Sequence, residues 1–141
     1  MNTIINDIEI LKAKTSKIND VDFNNLKFGS VFSDHMLECT YKNGIWETPK
    51  IIPYQPITLD PSSKIFHYGQ SIFEGMKAYK DADGGVWLFR PLENQKRLNI
   101  SAKRMASPEL PEEYFMEGLS TLLQVDKDWI PTKSGSSLYI R

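Results

Sequence analysis

Asn43-Gly44 stands between an extended run, 35–42, and Ile45-Trp46, and this placement predicts a tight turn between two strands. A two-residue hairpin turn needs positive φ at both positions, which Asn and Gly supply at least cost. A second hairpin is predicted from 77–80 and 86–90, joined by Asp81-Ala82-Asp83-Gly84-Gly85. Prolines shape what lies between. Pro49, Pro53 and Pro56 confine any strand around 50–54 to an edge or interrupted position. Leu59-Asp60-Pro61-Ser62-Ser63 reads as a turn.

The second half changes period. Pro91 opens a helix in which Leu98, Ala102 and Met105 fall at i, i+4 and i+7, a core stripe flanked by Lys96, Arg97, Lys103 and Arg104. Pro108 and Pro111 stop that helix and set the next. Pro111 at its first position, followed by Glu112 and Glu113, suits the positive end of a helix dipole. Phe115, Leu119, Leu122 and Leu123 give the second helix its buried face, and 136–141 reads as a closing strand. Two hairpins, two helices and a last strand make an α+β domain. Residues 1–27 read as an arm: Ile4, Ile5, Ile8, Ile10 and Leu11 have some helical spacing but sit among Asn, Asp and Lys. The arm is expected to be loosely ordered, or docked on another part of a larger assembly.

A chain of 141 residues is one domain by size. Its formal net charge of -1 leaves no basic surplus for nucleic acid or an anionic membrane. Cys39 is the only cysteine, and His35 and His67 are the only histidines, so neither an intrachain disulfide nor a cysteine-based metal cluster is expected. No apolar run approaches membrane-spanning length, and the N-terminus lacks the basic start of a signal peptide; a cytoplasmic location is the expectation.

The residues with chemical interest gather in 66–79, which holds two phenols, two phenylalanines, a histidine and two glycines. The spacing predicts a helical turn over 69–74, stopped by Gly75 in a left-handed cap, with 76–79 extended. Tyr68 and Phe73 would flank that turn, forming an apolar wall with one hydroxyl; a buried aromatic corner without a ligand accounts for the same residues. Arg97, with Arg104 seven residues on, could grip a phosphate through paired hydrogen bonds, or belong to a solvated basic face. Tyr139 and Arg141 project from one face of the last strand, Leu138 and Ile140 from the other. A phenol beside a guanidinium suits a carboxylate, and equally suits a strand edge facing water. For Glu74, Asp34 and His67 no partner is legible, and a structural hydrogen bond is expected of each.

Taken in order, several stretches resemble the branched-chain amino acid aminotransferases: Phe28-Gly29-x-x-Phe32-Ser33-Asp34-His35-Met36-Leu37, Leu59-Asp60-Pro61-Ser62-Ser63, Phe66-His67-Tyr68 and Phe73-Glu74-Gly75-Met76-Lys77-Ala78-Tyr79. Leu88-Phe89-Arg90-Pro91, Asn94 with Arg97-Leu98-Asn99, Asp126-Lys127-Asp128-Trp129-Ile130-Pro131 and Ser137-Leu138-Tyr139-Ile140-Arg141 continue the likeness. The resemblance implies the small N-terminal domain, 28–141, of a pyridoxal-phosphate enzyme of the D-amino acid aminotransferase-like fold. It implies transfer of the amino group of leucine, isoleucine or valine to 2-oxoglutarate, with pyridoxal 5'-phosphate as cofactor and a homodimer as the working assembly. Residue by residue, Arg97 matches the arginine that binds the cofactor phosphate. Phe28, Tyr68, Phe73 and Gly75 match the lining of the substrate side-chain pocket, and Tyr139 and Arg141 match the pair that helps receive glutamate's distal carboxylate. No lysine here matches the one that forms the Schiff base, which in the family lies in the second domain; the chain alone is therefore expected to be inactive. A D-amino acid aminotransferase, an aminodeoxychorismate lyase, or a non-catalytic binding or scaffold domain are the alternatives.

Overall fold

The computed structural model describes residues 8–141; Ile4 and Ile5 lie outside the described residues. In chain order the elements are β1 (Glu9–Ile10), a 3-10 turn (Ile18–Asp20), β2 (His35–Glu38), β3 (Tyr41–Lys42), β4 (Ile45–Trp46) and β5 (Lys50–Pro53). There follow α1 (Lys64–Tyr68), β6 (Met76–Lys80), β7 (Val86–Leu88), α2 (Pro91–Arg104), α3 (Glu112–Val125), a second 3-10 turn (Lys127–Trp129) and β8 (Leu138–Ile140). The strands form three small sheets, β1-β5-β2, β3-β4 and β7-β6-β8, antiparallel except for the β1–β5 pair. The architecture is mixed α and β.

Both predicted turns form. Asn43 and Gly44 take φ of 54° and 85°, and join β3 to β4 with Tyr41 opposite Trp46. Asp81 closes the second by accepting the N–H of Gly85 at 2.6 Å, and β6 pairs with β7 from Ala78↔Leu88 to Lys80↔Val86. The run 35–42 nevertheless breaks in two. Its first half, β2, leaves the local hairpin to pair with β5, from His35↔Pro53 to Glu38↔Lys50.

That pairing corrects the expected edge strand at 50–54. β5 lies between β1 and β2, because Ile51 and Ile52 are both buried and need cover on both sides. Pro49 precedes the strand and Pro53 ends it, so neither removes a ladder N–H from its interior. The first described residues of the arm have a place in the fold. Its start joins the sheet of this same chain, because β1 adds to β5 and the Leu11 N–H continues the ladder to the Ile51 carbonyl at 2.8 Å.

α3 is the shared wall. Its Leu119 and Leu123 pack with Ala78 and Ile130, while Phe115 and residues of β6, β7 and β8 close around them. Full burial of each leucine contributes roughly 1.5–3 kcal/mol. On the other side Gly118 faces β2: a Cβ there would lie 2.9 Å from both Leu37 methyl carbons, so the missing side chain lets helix and sheet approach. α2 packs on α3 with Ala102 buried. Gln95, also buried, and Asn99 both donate to the Leu110 carbonyl, at 3.0 and 2.9 Å, and fasten the link between the helices. Glu112 and Glu113 occupy the first turn of α3, after Pro111 as its cap.

The helix expected over 69–74 lies one turn earlier. Asp60 stabilises the preceding turn by accepting the Ser62 N–H at 2.7 Å, so α1 starts at Lys64. Gly69, at φ 60° and ψ 27°, is the left-handed cap that stops it. Gly75 has no positive φ, and its lack of a side chain serves another purpose. Among the described residues, no helix is long and apolar enough to cross a membrane.

Candidate active site

β6 and β8 set the frame. Their register puts Lys77 opposite Tyr139 and Met76 opposite Ile140. Alternation along β8 sends Leu138 and Ile140 into the core and Tyr139 to the other face, where its ring meets Phe28 with centroids 5.2 Å apart and planes tilted by 59°. The Tyr139 hydroxyl lies over Gly75, and a Cβ at that position would be 2.3 Å from the oxygen. Any side chain at 75 would have to displace the phenol. Three of the residues singled out in the sequence, Phe28, Gly75 and Tyr139, are thereby in one cluster.

The residue before Gly75 ties this cluster to α2. Glu74 has its side chain 8% exposed and accepts the Gly75 N–H at 2.8 Å. The same oxygen accepts from Asn94 Nδ2 at 3.1 Å and from Arg97 Nη2, while Arg97 Nε donates to the second oxygen at 2.8 Å. Asn94 also donates to the Gly75 carbonyl at 3.1 Å. Asn94 and Arg97 are three apart on α2 and so share a face. The Arg97 guanidinium, aided by Gly75 and Asn94 and opposed by burial, holds the Glu74 carboxyl down to about 2. Glu74 in turn raises the Arg97 value, so the pair stays ionised throughout the neutral range. The Arg97 side chain remains 67% exposed, and among the described residues no hydrogen bond engages Nη1.

The other candidates stand apart, with no described contact to this cluster. Tyr68, at the end of α1, is exposed beside the His67 ring. Phe73 lines an open groove of about 400 Å³ with Ser71, Ile72, Ile100, Ser101, Arg104 and Met105. Arg141 follows β8, exposed and without an ion pair among the described residues. Arg104 therefore lies in the groove rather than in a fork with Arg97.

Asp34 and His67 make the structural bonds expected of them. Burial pushes the Asp34 carboxyl up, but Ser16, the Lys17 N–H and the Trp129 indole outweigh it and leave it below the usual carboxylate range. His67 Nε2 bonds the Pro61 carbonyl at 2.9 Å. Burial, with Glu47 nearby, pushes the Cys39 thiol up to about 11, so it is not a nucleophile near neutral pH. Among the described residues no group of three His, Cys, Asp or Glu is placed to hold a metal ion. The sequence reading missed the pairing of Glu74 with Arg97 and Asn94, since contacts across 23 and 20 residues leave no periodic signal.

No family model matches the chain. Against curated proteins, it is 54% identical over 121 residues to the branched-chain-amino-acid transaminase 1 of Bacillus subtilis, covering 85% of this chain and 34% of that protein. It is 48% identical over 135 residues to the branched-chain-amino-acid aminotransferase 2 of the same organism, covering 95% and 36%. A branched-chain-amino-acid aminotransferase of Dictyostelium discoideum is 44% identical over 138 residues, covering 97% and 36%. The chain thus spans about a third of the length of these relatives, matching their N-terminal part. With nearly its whole length aligned at such identity, this chain belongs to the branched-chain-amino-acid aminotransferases.

Proposed function

We propose that residues 28–141 form the small N-terminal domain, with 1–27 as its arm, of a homodimeric transaminase of the D-amino acid aminotransferase-like fold, acting on leucine, isoleucine or valine and 2-oxoglutarate. The observation that carries this reading is the junction at Gly75, which joins an arginine with a free donor end to an aromatic pair whose phenol hydroxyl lies over the glycine.

Pyridoxal 5'-phosphate, when bound, supplies the electron sink for amino transfer. The residues fit its phosphate: Arg97 is exposed, always charged, and offers Nη1 together with the remaining Nη2 hydrogen. Phe28, Tyr68, Phe73 and Gly75 form this domain's share of the apolar side-chain pocket. All three aromatic rings are largely exposed, so they have surface to offer an aliphatic substrate. Tyr139 and Arg141, two residues apart on β8 and just beyond it, receive the second carboxylate of 2-oxoglutarate. No lysine in this stretch is assigned as the cofactor's covalent anchor, and the stretch by itself is inactive.

The test is steady-state kinetics of Arg141→Ala in the intact protein. The KM for 2-oxoglutarate should rise about tenfold or more, the loss of one charge-assisted hydrogen bond, while the KM for leucine changes little. Equal effects on both substrates would remove Arg141 from carboxylate recognition, and no leucine–2-oxoglutarate exchange in the wild type would overturn the reading itself.

A further inference from the structure

We infer that Glu74 is the positioning residue of Arg97: it locks one edge of the guanidinium to the substrate-pocket wall at Gly75 and so leaves the other edge to face the cofactor. The inference rests on the reading that Arg97 meets the cofactor phosphate.

A guanidinium has two edges able to make paired hydrogen bonds, one from Nε and a terminal nitrogen, the other from the two terminal nitrogens. Glu74 occupies the first edge, through Arg97 Nε and Nη2. The second is left for an incoming phosphate. Glu74 can hold this geometry because its own carboxylate, 8% exposed, is held in turn by the Gly75 N–H and Asn94. A long, exposed arginine otherwise samples many rotamers, and ordering it on binding is costly. Restraint in advance removes much of that cost.

The charge argument alone points the other way. Glu74 places a negative charge beside a site for a phosphate dianion, and at neutral pH it is fully ionised. If Glu74 acted only through its charge, Glu74→Gln would tighten cofactor binding. If it acts by orientation, the same change weakens binding, because the amide nitrogen confronts a donor.

The experiment is titration of the intact apoprotein with pyridoxal 5'-phosphate, followed by absorbance, for wild type, Glu74→Gln, Glu74→Asp and Arg97→Ala. Glu74→Gln should raise the Kd about tenfold or more, with partial recovery in Glu74→Asp and a loss at least as large in Arg97→Ala. A second readout needs no variant: the Arg97 Nε–H of the wild type, followed by NMR without cofactor, should be protected from solvent exchange. Unchanged or tighter binding by Glu74→Gln, with Arg97→Ala still weakened, would overturn the positioning role and leave the functional reading standing; so would rapid exchange of the wild-type Nε–H. Unchanged binding by Arg97→Ala would overturn the phosphate reading of Arg97 and this inference with it.

Discussion

Glu74 accepts four hydrogen bonds, from the Gly75 N–H, Asn94 and two Arg97 nitrogens. All of them favour the ionised form, which drives its value from the ordinary 4.5 to about 2. A carboxyl held lower in the folded state than in the unfolded chain stabilises the fold above the unfolded value. That contribution shrinks as pH falls below about 4.5 and is gone once pH passes through about 2. Urea denaturation midpoints of wild type and Glu74→Gln should therefore differ at pH 6 and converge on acidification toward pH 3. A constant gap would show that the pair adds no pH-dependent stability. At this scale the sequence was partly legible: only the family resemblance set Arg97 apart from its neighbours, and a structural hydrogen bond was expected of Glu74 with no partner named. Local spacing cannot report a bond between a loop residue and a helix residue 23 positions away.

Among the elements, α3 shows how one missing side chain sets an interface. Gly118 lies mid-helix, where glycine costs about 1 kcal/mol relative to alanine, so the position is held by packing rather than propensity. The Leu37 methyls of β2 fill the space its side chain would take. Gly118→Val should destabilise the protein by about 1–3 kcal/mol in urea titration, as overpacking of a filled core does. Adding Leu37→Ala should recover part of that loss, since the two sites share the same space. An additive double mutant would mean that the helix and sheet do not meet there. α3 itself was predictable from its 3.6 period and acidic first turn, and α1 was displaced because two glycines, Gly69 and Gly75, were both eligible caps. Only the backbone shows that Gly69 takes the left-handed conformation, whereas Gly75 makes room for Tyr139.

Across the whole molecule, three distant segments meet at a buried polar clasp. His35 Nε2 accepts the Ala13 N–H at 2.9 Å, so Nδ1 carries the ring proton and donates it to Asp126 at 2.6 Å. Asp126, at the end of α3, also accepts the His35 N–H at 3.0 Å. Next to it Asp34 accepts the Lys17 N–H at 3.0 Å and the Trp129 indole N–H at 3.1 Å, and the Phe23 ring lies against Trp129. The arm, β2 and the exit of α3 thus depend on one another. Asp126→Ala leaves two donors of His35 without an acceptor, and should cost about 1–3 kcal/mol for each group left unpaired. Urea denaturation measures the loss, and hydrogen exchange at Ala13 and Lys17 should accelerate with it; unchanged protection there would show that the arm is held independently of α3.

Near-neighbour chemistry was enough to determine the two hairpin turns, the helices after Pro91 and Pro111, and the alternation that sends Tyr139 outward from β8. Each rests on the φ preferences of a few adjacent residues or on a short period of apolar side chains, and both can be read along the chain. Only the tertiary structure decided that β5 is central rather than an edge, that the start of the described arm joins the sheet, and that Glu74 pairs with Arg97. Those outcomes depend on which apolar faces remain uncovered and which buried polar atoms remain unpaired after the local elements form. Such needs are met by residues distant in sequence, so they are settled by packing in three dimensions.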